Sequence, residues 1–393
     1  MRLLGRIRRD FSVCHRHFVT GSKASDRVDA IAPLEFRKLL HDIDACLDSK
    51  CREVAGEYPL AVALSGGADS LTLTFLLDEY LRKWEQEKTV SLLAITVDHQ
   101  LRIESREEAE YICRICKERA IAHVIASSDW SAVDPRQLVD GKPKKSRMQV
   151  QARNYRYASL KQMCQKFGVK YLFVGHTLDD QEETILLRLA RGSGLNGLAG
   201  MEALTKWFWN EEIGDHTYLV RPLLSVSKSR LQQTCTQRFH QDWVEDPSNH
   251  SDVFDRVRIR KAMAKIRSEK GEGAFDCLLP LHQIASEAKK QFKELEKDVL
   301  EKHTIKWSSS KVLLDAAFRN EYQELSYRVL IKILNFVGQR AHPPRLSSVS
   351  KLLRELDQLT CGRKVTIHGC SVKKVEKGRI LSFEPEHPHF NGS

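Results

Sequence analysis

Ser65-Gly66-Gly67-Ala68-Asp69-Ser70 sets two hydroxyls, two adjacent glycines and a carboxylate in one short run. That set can hold a phosphate chain. The glycines allow a sharp turn and a close backbone approach with no Cβ in the way. A helix starting there would aim its unpaired N–H groups and positive dipole end at an anion. Ser65 and Ser70 add hydroxyl donors, and Asp69 can hold Mg²⁺ against phosphate oxygens. No Lys-Ser or Lys-Thr pair follows the glycines, so this is not the P-loop of ordinary NTPases. The bland alternative is a strand-to-helix turn with Asp69 or Ser70 as a cap.

Three further polar clusters have the same character. Thr96–Ser105 carries Asp98, His99 and Arg102. Gln149–Tyr157 carries Arg153 and Arg156, three apart and therefore on one side of a helix. Val174–Thr184 carries His176, Asp179 and Asp180. Asp69 and Asp180 (or Asp179) can share a Mg²⁺ that neutralises a leaving pyrophosphate. Arg153 can stabilise charge that builds up in a transition state. Each cluster also has a structural reading. Thr177 or Asp179 can cap a helix, His99 can satisfy a buried partner, and the arginines can pair with surface acids.

The elements that position these residues alternate. Strands Leu60–Leu64, Ser91–Val97, His123–Ala126 and Tyr171–Val174 are little interrupted by polar residues. Between them the spacing predicts helices over Ser70–Lys83, Glu104–Arg119, Val150–Phe167 and Asp180–Arg191, with a leading helix through Phe36, Leu39, Leu40, Ile43 and Leu47. This implies an α/β domain with a parallel sheet covered on both faces. Ligands in such sheets sit at the carboxyl ends of strands, where the strand order switches, and all the clusters fall at that edge. Asp134–Arg147, with Lys142, Lys144, Lys145 and Arg147 among its basic residues and with Pro135, Gly141 and Pro143, reads as a mobile basic loop. Ala262–Glu301 reads as one charged helical stretch with an apolar face, Leu325–Leu359 as two helices broken at His342-Pro343-Pro344, and Lys364–Phe383 as strand-turn-strand.

Composition bounds the rest. The chain has 393 residues, 41% hydrophobic and 29% charged, with a net charge of +11. That fits a globular protein with a real core and a polyanionic partner. No apolar stretch approaches the ~20 residues needed to span a bilayer, so no membrane partner is expected. The ten cysteines show no disulfide framework, as in a reducing compartment. Cys113 and Cys116 form the one CxxC, in mid-helix, and read as small buried residues or as a thiolation or cluster-ligand pair. Met1 to about Lys23 is Arg-rich and acid-poor, the profile of a mitochondrial transit peptide; a basic arm touching RNA is the alternative.

The Ser-Gly-Gly-x-Asp-Ser loop resembles that of the N-type ATP pyrophosphatases, the PP-loop superfamily. Together with Val97-Asp98-His99-Gln100-Leu101-Arg102, Ala152-Arg153-Asn154-Tyr155-Arg156-Tyr157, Gly175-His176-Thr177-Leu178-Asp179-Asp180-Gln181, the Arg191–Met201 glycine loop, Arg221-Pro222-Leu223-Leu224 and Trp243–Asn249, it resembles the tRNA(Ile)-lysidine synthetase family. The match runs from about Tyr58 to Arg260. Thr177 stands where that family has a second His, and Val257 where it has Asn.

The resemblance implies an adenine nucleotide alpha hydrolase-like fold with a C-terminal helical and small α+β appendage. The implied division is a targeting segment over 1–25, a catalytic domain over 26–230, a helical tRNA-contacting region over 231–310 and a small α+β domain over 311–393. It implies a ligase that uses ATP and Mg²⁺ to adenylate the wobble cytidine of an isoleucine tRNA with a CAU anticodon, then attaches free L-lysine. ATP contacts fall to Ser65, Gly66, Gly67, Ala68, Asp69, Ser70, Asp98, His99 and His176. Metal contacts fall to Asp69 and Asp180, catalysis to Asp69, Arg153 and Asp180, and tRNA contacts to Arg156, Arg191, Arg256 and Arg260. A homodimer is an open expectation, and the location implied by the leader is mitochondrial. A tRNA thiolase with the same loop, or a tRNA-binding protein with a decayed nucleotide site, are the competing classes.

Overall fold

The computed structural model describes residues 29–44, 60–84, 91–100, 104–127, 138–139, 142–143, 148–244, 255–308, 310–340, 343–361 and 363–386. They divide into two compact units. The first comprises the described residues up to Leu187 together with Met201–Glu269, the second Arg188–Gly200 together with the residues from Lys270 onward.

The first unit is an α/β sheet. In chain order its elements are α1 (Pro33–Asp44), β1 (Leu60–Ala63), α2 (Ala68–Trp84), β2 (Leu92–Asp98), α3 (Glu104–Glu118), β3 (Ala122–Ser127), the two-residue strands β4 (Leu138–Val139) and β5 (Lys142–Pro143), α4 (Met148–Lys166), β6 (Tyr171–Phe173) and α5 (Leu178–Ala190). After α6 (Gly194–Leu198), which belongs to the second unit, come β7 (Leu204–Asn210), β8 (Asp215–Val220), α7 (Lys228–Gln233) and α8 (Asp255–Lys270). The six-stranded order is β3-β2-β1-β6-β8-β7. Every pairing is parallel except β7 with β8, which closes the edge as an antiparallel hairpin. The chain leaves β1 toward β2 and β3, then returns to β6 on the other side of β1. The switch in strand order therefore lies between β1 and β6, and their carboxyl ends open side by side.

Why α2 lies where it does is legible in its side chains. Residues 71–77 are all buried, so the helix is apolar nearly all round, as befits one wrapped on every side. Leu71, Phe75 and Leu76 join a core with Val62, Ile112, Phe173 and Leu231, and Thr72 donates to the Leu231 carbonyl at 3.1 Å. The opposite face of the sheet is covered by α4, where Leu160 and Cys164 meet Leu93, Leu172 and Leu219.

The predicted strands and helices of this unit are present, most of them shifted by a residue or two; the leading helix is described over Pro33–Asp44, and Leu47 lies outside the described residues. The β7–β8 hairpin is an addition to the expected sheet. Most of the Asp134–Arg147 loop lies outside the described residues, as do the leader 1–25 and Arg102. The expected single helix Ala262–Glu301 is instead two, α8 and α9 (Leu278–His303), separated at Gly271, whose φ of 90° a helix cannot continue through.

The second unit is α+β. After α9 come β9 (Thr304–Ser308), β10 (Lys311–Asp315), α10 (Gln323–Gly338), α11 (Leu346–Gln358), β11 (Lys364–Ile367), β12 (Cys370–Val375) and β13 (Ile380–Pro385). The sheet is antiparallel, in the order β11-β12-β13-β10-β9, so the expected strand-turn-strand is part of a five-stranded sheet. Val329, Ile333 and Val337 of α10 and Leu352 and Leu356 of α11 pack against Val312, Leu314, Val372, Leu381 and Phe383. The expected region 231–310 thus falls into both units, divided near Lys270, because Val257 and Met263 of α8 are buried while α9 packs within the second unit.

Candidate active site

The glycine loop turns directly after β1. Gly66 has φ 85°, and a Cβ there would lie 2.6 Å from Ile112 Cδ1, so only glycine fits on both counts. Its carbonyl accepts from Val244 N at 3.0 Å, which ties the loop to the Trp243-Val244 segment. The Ser70 hydroxyl donates to Gly67 O at 3.0 Å, and Ser65 N donates to Ser70 Oγ at 3.2 Å. The serines thus hold the loop closed upon itself. Ala68 and Asp69 open α2, whose N-terminus faces the crevice between β1 and β6.

Across the crevice, Gly175 follows β6. A Cβ at Gly175 would lie 3.1 Å from the Asp69 backbone carbonyl, so this glycine lets the two strand ends close up. The turn beyond it starts α5 with a reciprocal cap. Thr177 N and Oγ1 donate to Asp180 Oδ2 at 3.0 and 3.1 Å, and Asp180 N donates to Thr177 Oγ1 at 3.3 Å. The structural reading of Thr177 is therefore the one realised: the residue replacing a histidine is a buried helix cap.

These elements line a cavity of about 120 Å³ with Asp69, Thr177, Asp179, Asp180, Glu183, Lys228, Arg260 and Arg267 at its walls. Burial pushes the Asp69 carboxyl up to about 6 against the pull of Lys228, with Asp180 and Asp179 adding to the rise. Lys228 Nζ stands 4.0 Å from Asp69 Oδ2. Asp69 Oδ1 is buried and meets no donor among the described residues. Asp179 is committed: its Oδ2 accepts from Lys228 N at 2.7 Å and its Oδ1 pairs with Arg267 at 3.4 Å. Asp180 uses only Oδ2 in the cap. Of the two expected alternatives, Asp180 is the one that retains an oxygen for a ligand.

This donor set fits Mg²⁺. Among the described residues no group of three or more His, Cys, Asp or Glu side chains forms a metal cage. A hard cation held by one or two carboxylates, with phosphate oxygens and water completing its shell, needs none.

The cleft's outer wall is α8. Arg256, Arg260 and Arg267 recur at helical spacing on one face and meet α5. Arg260 grips Glu183 with two bonds, of 2.6 and 3.1 Å; Arg267 pairs with Glu182; Arg256 reaches Thr184 Oγ1 at 3.4 Å. Glu183 is almost fully buried, which makes Arg260 its counter-ion. Two arginines expected on tRNA thus stand at or beside the acid wall. Val257, which replaces Asn, is a buried apolar residue.

On the side of β8, Arg221 is buried and donates its Nε–H to His176 Nδ1 at 3.3 Å. Guanidinium has no acceptor, so Nδ1 must be the lone-pair nitrogen and the proton resides on Nε2. Burial, together with Arg221, Arg153 and Arg256, holds His176 down to about 4 despite the opposing charge of Asp180. His176 is a neutral donor at Nε2. Arg221 also donates to the Glu202 carbonyl at 3.0 Å and Thr205 Oγ1 at 2.8 Å, which fixes it in place.

The other expected residues are spread wider. Asp98 is buried at the end of β2; its Oδ1 accepts from Gln100 N and Ser105 Oγ, while Oδ2 meets no donor among the described residues. His99 takes a 3.3 Å bond from Arg156 Nε. Arg153 is exposed on α4, with its guanidinium 5.0 Å from the Tyr157 ring. Arg191 is exposed in Arg188–Gly200, within the second unit. Lys228, Arg267 and Arg221 were not singled out by the sequence. Arg221 had a signal, as the head of Arg-Pro-Leu-Leu; Lys228 and Arg267 had none. Cys113 is exposed and Cys116 buried, its thiol pushed up to about 12 by burial, which disfavours a thiolate at Cys116.

The family model for the PP-loop domain matches residues 38–266. The tRNA(Ile)-lysidine synthase of Wolbachia pipientis is 31% identical over 329 residues, spanning 83% of this chain and 70% of that one. That of Hyphomonas neptunium is 32% identical over 328 residues, spanning 80% and 79%. That of Rhodopseudomonas palustris is 30% identical over 360 residues, spanning 90% and 93%.

Proposed function

This chain belongs to the tRNA(Ile)-lysidine synthase family of PP-loop ligases, and we propose that it joins free L-lysine to the wobble cytidine of an isoleucine tRNA bearing a CAU anticodon. ATP is the co-substrate, and AMP and pyrophosphate are the products. The observation that carries the chemistry is the orphaned Asp69 Oδ1 beside Asp180, at the mouth of a glycine loop and a helix N-terminus.

The order of events follows from leaving-group chemistry. A carbonyl oxygen is a poor leaving group and AMP a good one. Transfer of the adenylyl group to O2 of the cytosine ring therefore comes first. The neutral ε-amine of lysine then forms a bond to C2, the C2–O2 bond breaks, and O2 departs with AMP. The loop's N–H groups and the α2 N-terminus receive the phosphates. Asp69 and Asp180 would hold Mg²⁺, which neutralises charge on the departing pyrophosphate. His176, held neutral near pH 7 by burial, can donate through Nε2. Arg153 balances negative charge at the transferred phosphorus.

The remaining parts of this reading are import into mitochondria, directed by the leader 1–25, and tRNA contacts from Arg156 and Arg191. Fusion of residues 1–25 to a fluorescent protein tests the first; cytosolic fluorescence would refute it. The central test is incorporation of radiolabelled lysine into unmodified tRNA with a CAU anticodon. Label should require ATP and disappear when the wobble cytidine is uridine or when Asp69 is alanine. Undiminished label in the Asp69→Ala variant would overturn the assignment.

A further inference from the structure

On the side of α4 facing the β7–β8 hairpin lies a row of rings and cations of which the steps above use only Arg153. Arg153, Tyr157 and Lys161 recur every four residues and so share one stripe of α4. Tyr157 meets Trp207 at 5.7 Å, edge to face, and Trp207 meets Phe208 at 4.7 Å. The cations ride on the rings, Arg153 at 5.0 Å over Tyr157 and Lys161 Nζ at 5.1 Å over Phe208.

Two adjacent strand residues would ordinarily point to opposite faces. Here the β7–β8 register shifts between Lys206 and Phe208, so a bulge at Trp207 brings both aromatic side chains toward α4. The bulge lies on β7, which is the edge strand of the sheet among the described residues. Tyr157, Trp207 and Phe208 pack against the core beneath them yet each remains part-exposed, and Arg153 and Lys161 are exposed. The row is headed by Arg153, the residue that the proposed function sets at the transferred phosphorus.

We infer that this row docks unpaired RNA, with the rings taking the faces of bases next to the reacting nucleotide and Lys161 pairing with the backbone. Rings interleaved with cations bind single-stranded nucleic acid in this way, because every base has a π-face and every linkage a charge. The net charge of +11 has the matching sign. Continuity with Arg153 makes the occupant the loop that carries the reacting cytidine. The assignment rests on the proposed function, since it takes that tRNA as substrate.

The test uses the full chain, an anticodon stem–loop and full-length tRNA. Trp207→Leu keeps an apolar side chain but removes the π-face; Trp207→Phe keeps a ring of smaller area. We expect Trp207→Leu to weaken stem–loop binding roughly tenfold and raise KM for tRNA by a similar factor. ATP affinity, kcat and Tm should stay near those of the parent, and Trp207→Phe should recover most of the loss. Lys161→Gln should lower the salt dependence of binding by about one phosphate contact. Unchanged RNA affinity in Trp207→Leu, with lysine incorporation intact in the parent, would overturn the docking face alone. So would a loss accompanied by lower Tm and weaker ATP binding, which marks a packing residue. Absence of RNA binding and of incorporation in the parent would overturn both this inference and the function it rests on.

Discussion

The two units treat buried charge in opposite ways. Among the described residues of the first unit, Asp98, Lys170, Glu182, Glu183 and Arg221 are all buried, and Asp69 is held up to about 6 by desolvation. In the second unit the buried polar side chains are His303, Ser326, Ser371 and Ser382, and the rest of the buried set is apolar. The second unit's core is mainly apolar packing, with His303, bonded to Glu321 at 3.1 Å, among its few buried polar side chains. The first unit retains isolated acid oxygens and paired ions that cost stability, as the proposed site for a polyphosphate and a cation would need before its ligands arrive.

If that contrast holds, mutations should separate stability from activity. Phe383→Ala, at a fully buried position of the second unit, should cost about 4 kcal/mol of stability. Chemical denaturation measures it, and the first unit's ATP affinity should be unchanged at temperatures where the variant is folded. Asp69→Asn should do the reverse. Activity should fall by roughly 10²–10³-fold. Stability of the ligand-free protein near pH 8 should rise by about 2–3 kcal/mol, since an ionised carboxylate is no longer held out of water.

The sign for Asp69 is that of a raised acid. Its neutral form favours folding at low pH, and that contribution is lost as pH rises from about 4 through about 6. Mg²⁺ needs the ionised form, so Mg²⁺ affinity, read by titration calorimetry, should fall about tenfold per unit below pH 6. Equal Mg²⁺ affinity at pH 5 and pH 8 would break the link between desolvation and function.

Arg260→Ala should leave the buried Glu183 carboxylate without its counter-ion, at a cost of about 3 kcal/mol. The double variant Arg260→Ala with Glu183→Leu should recover much of it, and the Tm series reads both. The smallest effect is expected at Thr177→Ala, which removes the reciprocal cap of α5 and should cost about 1 kcal/mol. A conservative Thr177→Ser should be close to neutral. A loss far above 1 kcal/mol would show that Thr177 does more than cap.

Local pattern made much of the first unit legible. Strands β1 and β6 are uninterrupted apolar runs, β2 and β3 are broken only by Thr96, Asp98, His123 and Ser127, and helices α2 to α5 fill the stretches between them. The β7–β8 hairpin escaped because the bulge at Trp207 breaks the alternation that marks a strand, giving Trp207-Phe208-Trp209 in succession. Strands β9 and β10 escaped because α9 runs to His303 directly before Thr304, with no breaker between. The face of α9 was only partly as expected: Val299 is buried, whereas Leu281 and Ile284 are exposed. Lys228 escaped for another reason. It belongs to no motif, and the packing of α7 on α2, with Lys228 N bonded to Asp179, places its ammonium by Asp69.

The sequence by itself determined the chemistry's parts: a glycine turn before a helix, a carboxylate on each of two turns, a histidine and an arginine nearby. These are properties of consecutive residues, set by backbone freedom and helix ends. Tertiary structure alone decided how they are used. Parallel pairing of β1 with both β2 and β6 sets the Asp69 and Asp180 turns at one crevice. The absence of a Cβ at Gly175 lets them close. Capping and ion pairing then commit Asp179 to structure and leave an oxygen on Asp180, a choice between neighbours that depends on partners far along the chain.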